Sequence, residues 1–115
     1  MPDEPPPEAR EVRPWREGDG PMRTRSWGLR GPTVSVYVEG AWRVAGVQQR
    51  QDWADGTVAV QVDLVLPSVG ASTSRTYAWD PRSIRPVRDA GEEPVETEWD
   101  ADGRVISSTR GADGG

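Results

Sequence analysis

The chain has 115 residues and a mass of 12.6 kDa, with 34% hydrophobic residues, 29% charged residues and a formal net charge of −5. That length holds one small domain, and so polar a balance leaves part of the chain outside its core. Cys, His and Lys are all absent, which excludes disulfides, thiolate metal sites, cysteine nucleophiles and the usual base at neutral pH.

Phe and Asn are missing as well, and all 14 basic residues are Arg. Lys, Phe and Asn share AT-rich codons, so a GC-rich genome accounts for their joint absence. No apolar run approaches the roughly 18 residues a membrane helix needs. Acids and prolines fill the N-terminus where a signal peptide would carry positive charge and an apolar stretch. A cytoplasmic protein without membrane contact is expected. Charge is unevenly placed: residues 33–88 hold five acids against six Arg, whereas residues 89–115 hold eight acids against two Arg. The acidity therefore belongs to the tail, and the near-neutral centre lacks the broad basic footprint of an autonomous DNA binder.

Residues 1–31 contain Pro5-Pro6-Pro7, Pro14 and Glu17-Gly18-Asp19-Gly20-Pro21. No apolar periodicity survives this punctuation, so the segment reads as a disordered or extended tail. Trp15 and Trp27 stand out in it. Trp27, just before the first strand signal, has two readings: docking onto its own domain, or a short linear motif for a partner.

Residues 32–88 alternate with period 2, the pattern of half-buried strands. Thr33–Val38 puts three Val on one face, Glu39-Gly40 supplies a tight turn, and Trp42–Gln51 forms a second strand with Ala45 and Val47 inward. Asp55-Gly56 is a hairpin signal. Thr57–Leu66 places Val58, Val60, Val62, Leu64 and Leu66 on one side, and a strand that long in so small a domain has to bend to serve two sheets. Ser74–Trp79 is a fourth strand, Asp80–Ser83 a single helical turn and Ile84–Val87 a short last strand. Gly40, Gly46, Gly56 and Gly70 amid β-branched residues rule out a helix. The expectation is an all-β, five-stranded barrel.

Residues 89–115 begin as an acidic linker. Val95–Ser108 then has hairpin logic, with Asp102-Gly103 in the turn and Trp99 meeting Val105 and Ile106 across it. An isolated hairpin is marginal in water, so it either frays or joins the barrel edge. The final residues, 111–115, read as a flexible end.

The stretch Val36-Tyr37-Val38-Glu39-Gly40-Ala41-Trp42-Arg43-Val44-Ala45-Gly46-Val47, followed by Asp55-Gly56 and by Trp79-Asp80-Pro81-Arg82-Ser83-Ile84-Arg85-Pro86, resembles the Tudor/agenet branch of the SH3-like barrels. The resemblance covers about half of the chain. The C-terminal hairpin resembles a single YD-type repeat. The Tudor/agenet resemblance implies recognition of methylated Lys or Arg in an aromatic cage, through cation–π attraction. Trp42 sits where such domains often place a cage aromatic, and Tyr37, Tyr77 and Trp79 are the other cage candidates. Tyr37 faces away from the Val34/Val36/Val38 side, and one of Tyr77 and Trp79 plugs the core. The other reading is that these rings simply close a small barrel that lacks Phe. After the third strand the chain offers only Val65 to Ser72, without the acidic, aromatic-bearing turn of a methyl-ligand reader.

Catalysis has little to stand on. Asp52 and Asp55 lie at a turn, where solvated acids are ordinary. Asp100-Ala101-Asp102-Gly103 matches only part of a calcium loop. No cofactor, metal site or enzymatic activity is expected. The leading expectation is a non-catalytic module that binds an extended segment of a protein partner through Tyr37, Trp42, Trp53, Tyr77 and Trp79, as a monomer or as a subunit of a hetero-complex. A second is a nucleic-acid-associated factor of the KOW sort, with Arg82, Arg85 and Arg88 on phosphates; a solvated barrel edge explains the same three residues. A third is an accessory subunit of a larger assembly.

Overall fold

The period-2 runs form strands, and three further strands join them. The computed structural model describes residues 4–110 and shows β1 (Met22–Ser26), β2 (Thr33–Val38), β3 (Ala41–Trp53), β4 (Val58–Leu66), β5 (Ala71–Ala78), β6 (Ile84–Arg88), β7 (Val95–Trp99) and β8 (Val105–Arg110). None of the described residues is helical. The flexible end expected at 111–115 lies outside the described residues. The strands make one open antiparallel sheet of eight in the order β5-β4-β3-β1-β7-β8, with β2 also on β3 and β6 on β2. The barrel of five strands expected from the sequence is thus replaced by a larger sheet that does not close on itself.

The bend expected in the third run falls on β3 instead. Its 13 residues serve two neighbours along one edge: Ala41–Gly46 pair with β2, and Gln49–Trp53 pair with β1. A β-bulge between Val47 and Gln49 marks the handover, and such a bulge bends a strand and sharpens its twist. The chain entering from β1 seals this point. The Trp27 amide donates to the Gln48 carbonyl, and the Val47 amide donates to the Pro32 carbonyl. Gly31 crosses so close that a Cβ there would lie 2.2 Å from the Val47 carbonyl oxygen.

The sheet buries an apolar layer on each face. On the first, Val34, Val36 and Val38 of β2 meet Val60, Val62 and Leu64 of β4, closed by Tyr77 and Ile84. Successive strand residues point to opposite faces. Ala59, next to the core residue Val60, is therefore turned to the second face, yet it is fully buried. There it lies level with Gln51, and further along β3 the Trp53 position is flanked by Met22 of β1, itself paired with Trp99 of β7. Residues 12–15 lie over this second layer: Val12, Pro14 and Trp15 line one cleft with Met22, Gln51 and Trp99.

The N-terminal segment expected to be disordered or extended therefore contributes β1 and a cover. Its apolar residues are irregularly spaced, Ala9 on the first core and Val12, Trp15 and Met22 in the cleft over the second, so no periodicity announces them. Ion pairing helps to hold the turn: Arg13 binds the Asp19 carboxylate at 2.6 and 2.8 Å and lies 5.4 Å over the Trp53 ring. Hydrogen bonding from Arg13, then from the Arg16 amide, lowers the Asp19 carboxyl to about 2. The C-terminal hairpin docks on β1, with Arg25–Glu96 and Arg23–Glu98 ion pairs across the register.

Candidate functional site

The outward face of β2 and β3 follows from strand parity. Val34, Val36 and Val38 point inward, so Ser35 and Tyr37 point outward, and their partners across the pair are Val44 and Trp42. A two-residue turn joins the strands. Glu39 and Gly40 both adopt positive φ, +51° and +78°, the requirement of a type I′ hairpin turn. Hydrogen bonds from the Ser68 amide and hydroxyl hold Glu39 in place and lower its carboxyl below the usual carboxylate range.

Tyr37 and Trp42 meet edge to face, with centroids 5.5 Å apart and planes at 65°. Arg85 of β6, directly across β2 from Ser35, lays its guanidinium 4.1 Å from the centre of the Trp42 ring. Among the described residues Arg85 has no acidic partner. Beside this stack Val44 is 68% exposed and Val87 56%. The face thus combines two half-buried rings, a guanidinium and two bare aliphatic side chains on three paired strands. Such rigid aromatic and Arg groups are typical anchors of protein interfaces.

The other expected site residues separate. Tyr77 is buried in the first core, where burial, with Glu11 nearby, pushes its hydroxyl up. Between Tyr77 and Trp79 it is Tyr77 that plugs the core; it therefore presents no ring to a partner. Trp53 is also buried rather than displayed, because β1 pairs along the second half of β3 and Arg13 covers the ring. Its indole N–H donates to Gln51 Oε1, whose amide donates to Gln49 Oε1, and Gln49 in turn donates to Ser26 Oγ. Trp79 is exposed, just past the end of β5. Trp27 packs against the first core, with its indole N–H buried and unpartnered. Its docking onto its own domain leaves no free linear motif at that ring.

Nor do the three arginines make a common row. Arg82 forks onto the Asp80 carboxylate at 2.8 and 3.1 Å, Arg85 lies on Trp42, and Arg88 reaches the Thr33 hydroxyl at 3.3 Å. The Asp100 carboxylate is spent on its own turn, accepting the Asp102 and Arg104 amides at 2.9 Å. A concavity of about 630 Å³ lies elsewhere, between Gly28–Gly31, the β3 bulge and Asp89–Gly91. Leu29, among its lining residues, is fully exposed.

The Arg85 contact escaped sequence reasoning. The β2–β6 register places Arg85 opposite Ser35, and no local signal encodes it. Comparison with family models, curated proteins and solved structures finds no match for this chain.

Proposed function

We propose that the chain is a non-catalytic interaction module built on this open sheet, whose β5-β4-β3-β2-β6 part is related to the SH3-like folds of the Tudor/agenet kind, and that it takes an extended segment of a protein partner across β6, β2 and β3. The consecutive pairing order β5-β4-β3-β2-β6 supports that relation. The carrying observation is the Trp42 ring at the surface, held between Tyr37 and Arg85. Arg85 already occupies a face of that ring, so a methylated ammonium would first have to displace it. A segment bearing a carboxylate for Arg85 and an apolar side chain for Val44 meets no such competition.

The test is Trp42→Ala. Capture from the native host, followed by titration of the captured partner, is expected to lose about 2 kcal/mol or more of binding free energy. Thermal unfolding is expected to change little, because Trp42 lies outside the buried clusters. Equal loss of folding would make Trp42 a core residue and remove the proposal.

A further inference from the structure

Residues 8–12 are held as a bound peptide would be. The Ala9 amide donates to the Tyr37 carbonyl at 2.8 Å, the Ala78 amide to the Arg10 carbonyl at 2.8 Å, and the Val12 amide to the Thr76 carbonyl at 3.0 Å. Glu11 lies opposite Tyr77 on the outer edge of β5. The two oxygens of Glu8 accept the amides of Glu39 and Gly40 at 2.6 and 3.1 Å. Consecutive amides with positive φ converge in this way on an anion. Glu11 pairs with Arg75 at 3.0 Å, and Ala9 packs on the first core. Main-chain bonds supply most of the hold and small pockets the pattern, which is the mode of strand addition to a sheet edge.

We infer that the β5 edge and the β2–β3 turn form a binding site for an extended partner segment, and that residues 8–12 occupy it in cis. The partner segment carries a carboxylate, a small apolar residue next to it, a second carboxylate three positions after the first and a β-branched residue after that. The occupant is a separate protein rather than a second copy of this chain. Arg13 on Trp53 and Trp15 beside Gly103 anchor the following residues to their own sheet, so the strap cannot cross to a neighbour while those contacts last. It can open locally, because its Glu8, Arg10 and Glu11 side chains are exposed and only three backbone bonds tie it down.

The site shares the Tyr37 main chain with the Tyr37–Trp42 face but uses neither ring, so the two stand or fall separately. The probe is a labelled peptide with the sequence of residues 4–13, titrated into the full chain. Ala9→Pro with Val12→Pro removes both strap donors and leaves the receiving strands intact. Released from competition, this variant is expected to bind the peptide about tenfold or more tightly than the unmodified chain, since an occupied site lowers apparent affinity by its open fraction. The Ala78 amide should exchange quickly in the same variant. A peptide carrying Glu8→Ala should bind poorly, and Trp42→Ala in the chain should change nothing. Fast Ala78 exchange with β3 and β4 amides still protected, but no gain in peptide binding, would overturn the inference. If the double variant unfolds, Glu8→Ala in the chain decides by the same readings, with a gain of a few-fold expected and no gain contradicting it. Sedimentation showing a dimer with exchanged straps would overturn the choice of occupant.

Discussion

The two apolar layers of this sheet are built from different materials. The first is aliphatic: valines and leucines of β2 and β4, closed by Tyr77 and Ile84, with no charged residue in the cluster. The second is aromatic and polar. Met22, Trp53 and Trp99 are wedged among Thr24, Gln49 and Gln51, and three indole N–H groups find acceptors, Trp15 at the Gly20 carbonyl, Trp53 at Gln51 and Trp99 at Thr24. The first layer holds by area removed from water. The second also depends on each polar group keeping its partner, because a buried donor left alone loses its solvation without return. The aliphatic layer should therefore fail as a whole and the aromatic layer in parts.

Tyr77→Ala should have the largest effect. It removes a fully buried ring from the first layer and should cost about 3–5 kcal/mol, lowering a single cooperative thermal transition. Trp99→Ala, on the second layer, should instead loosen β7 and β8 first, seen as fast amide exchange at Thr97 while Val62 stays protected. Gly31→Ala comes next. Its Cβ would collide with the Val47 carbonyl at the point where β3 passes from β2 to β1, and overpacking of this kind costs about 1–3 kcal/mol in denaturant melts. Gln51→Ala should cost about 1–3 kcal/mol by orphaning the Trp53 indole N–H; Gln51→Glu, which keeps an acceptor there, should recover part of it. An equal effect of both variants would show that the relay carries no energy.

The smallest effect is electrostatic. Folding lowers the Asp19 carboxyl to about 2 from its ordinary 3.8, chiefly through Arg13. A carboxyl depressed by folding adds stability above its unfolded value and gives it up as the pH falls toward the folded one. The contribution of this exposed pair is therefore present above about pH 4 and fades between pH 4 and pH 2. Asp19→Asn should flatten that part of the acid titration of stability. An unchanged slope would place the acid sensitivity elsewhere.

The difference between the layers also explains what could be read from the amino acids. β2 and β4 announce themselves because every second residue is aliphatic, and β3 and β6 join them through Ala45, Val47 and Ile84, which meet the same core. β1, Met-Arg-Thr-Arg-Ser, has only Met22 and Thr24 buried, with Ser26 half-buried, so its alternation is of polar against charged and resembles tail. The strap at residues 8–12 is legible only once the β5 edge and the β2–β3 turn exist to receive it. The same holds for the interaction face. Tyr37 and Trp42 follow from parity across a two-residue turn, whereas Arg85 reaches Trp42 through the β2–β6 pairing, which is set three-dimensionally. Trp53 reads as a partner-facing ring from sequence because β1, its cover, carries no apolar alternation.

The most direct test is native-state hydrogen exchange on the full chain, followed in increasing denaturant. The amides of Val60 and Val62 should exchange only through global unfolding. Those of Thr24 and Thr97 should exchange through a smaller opening that Trp99→Ala accelerates selectively. A single exchange free energy shared by all four amides, moved equally by Trp99→Ala, would contradict the division of this sheet into a self-sufficient aliphatic layer and a separable aromatic one.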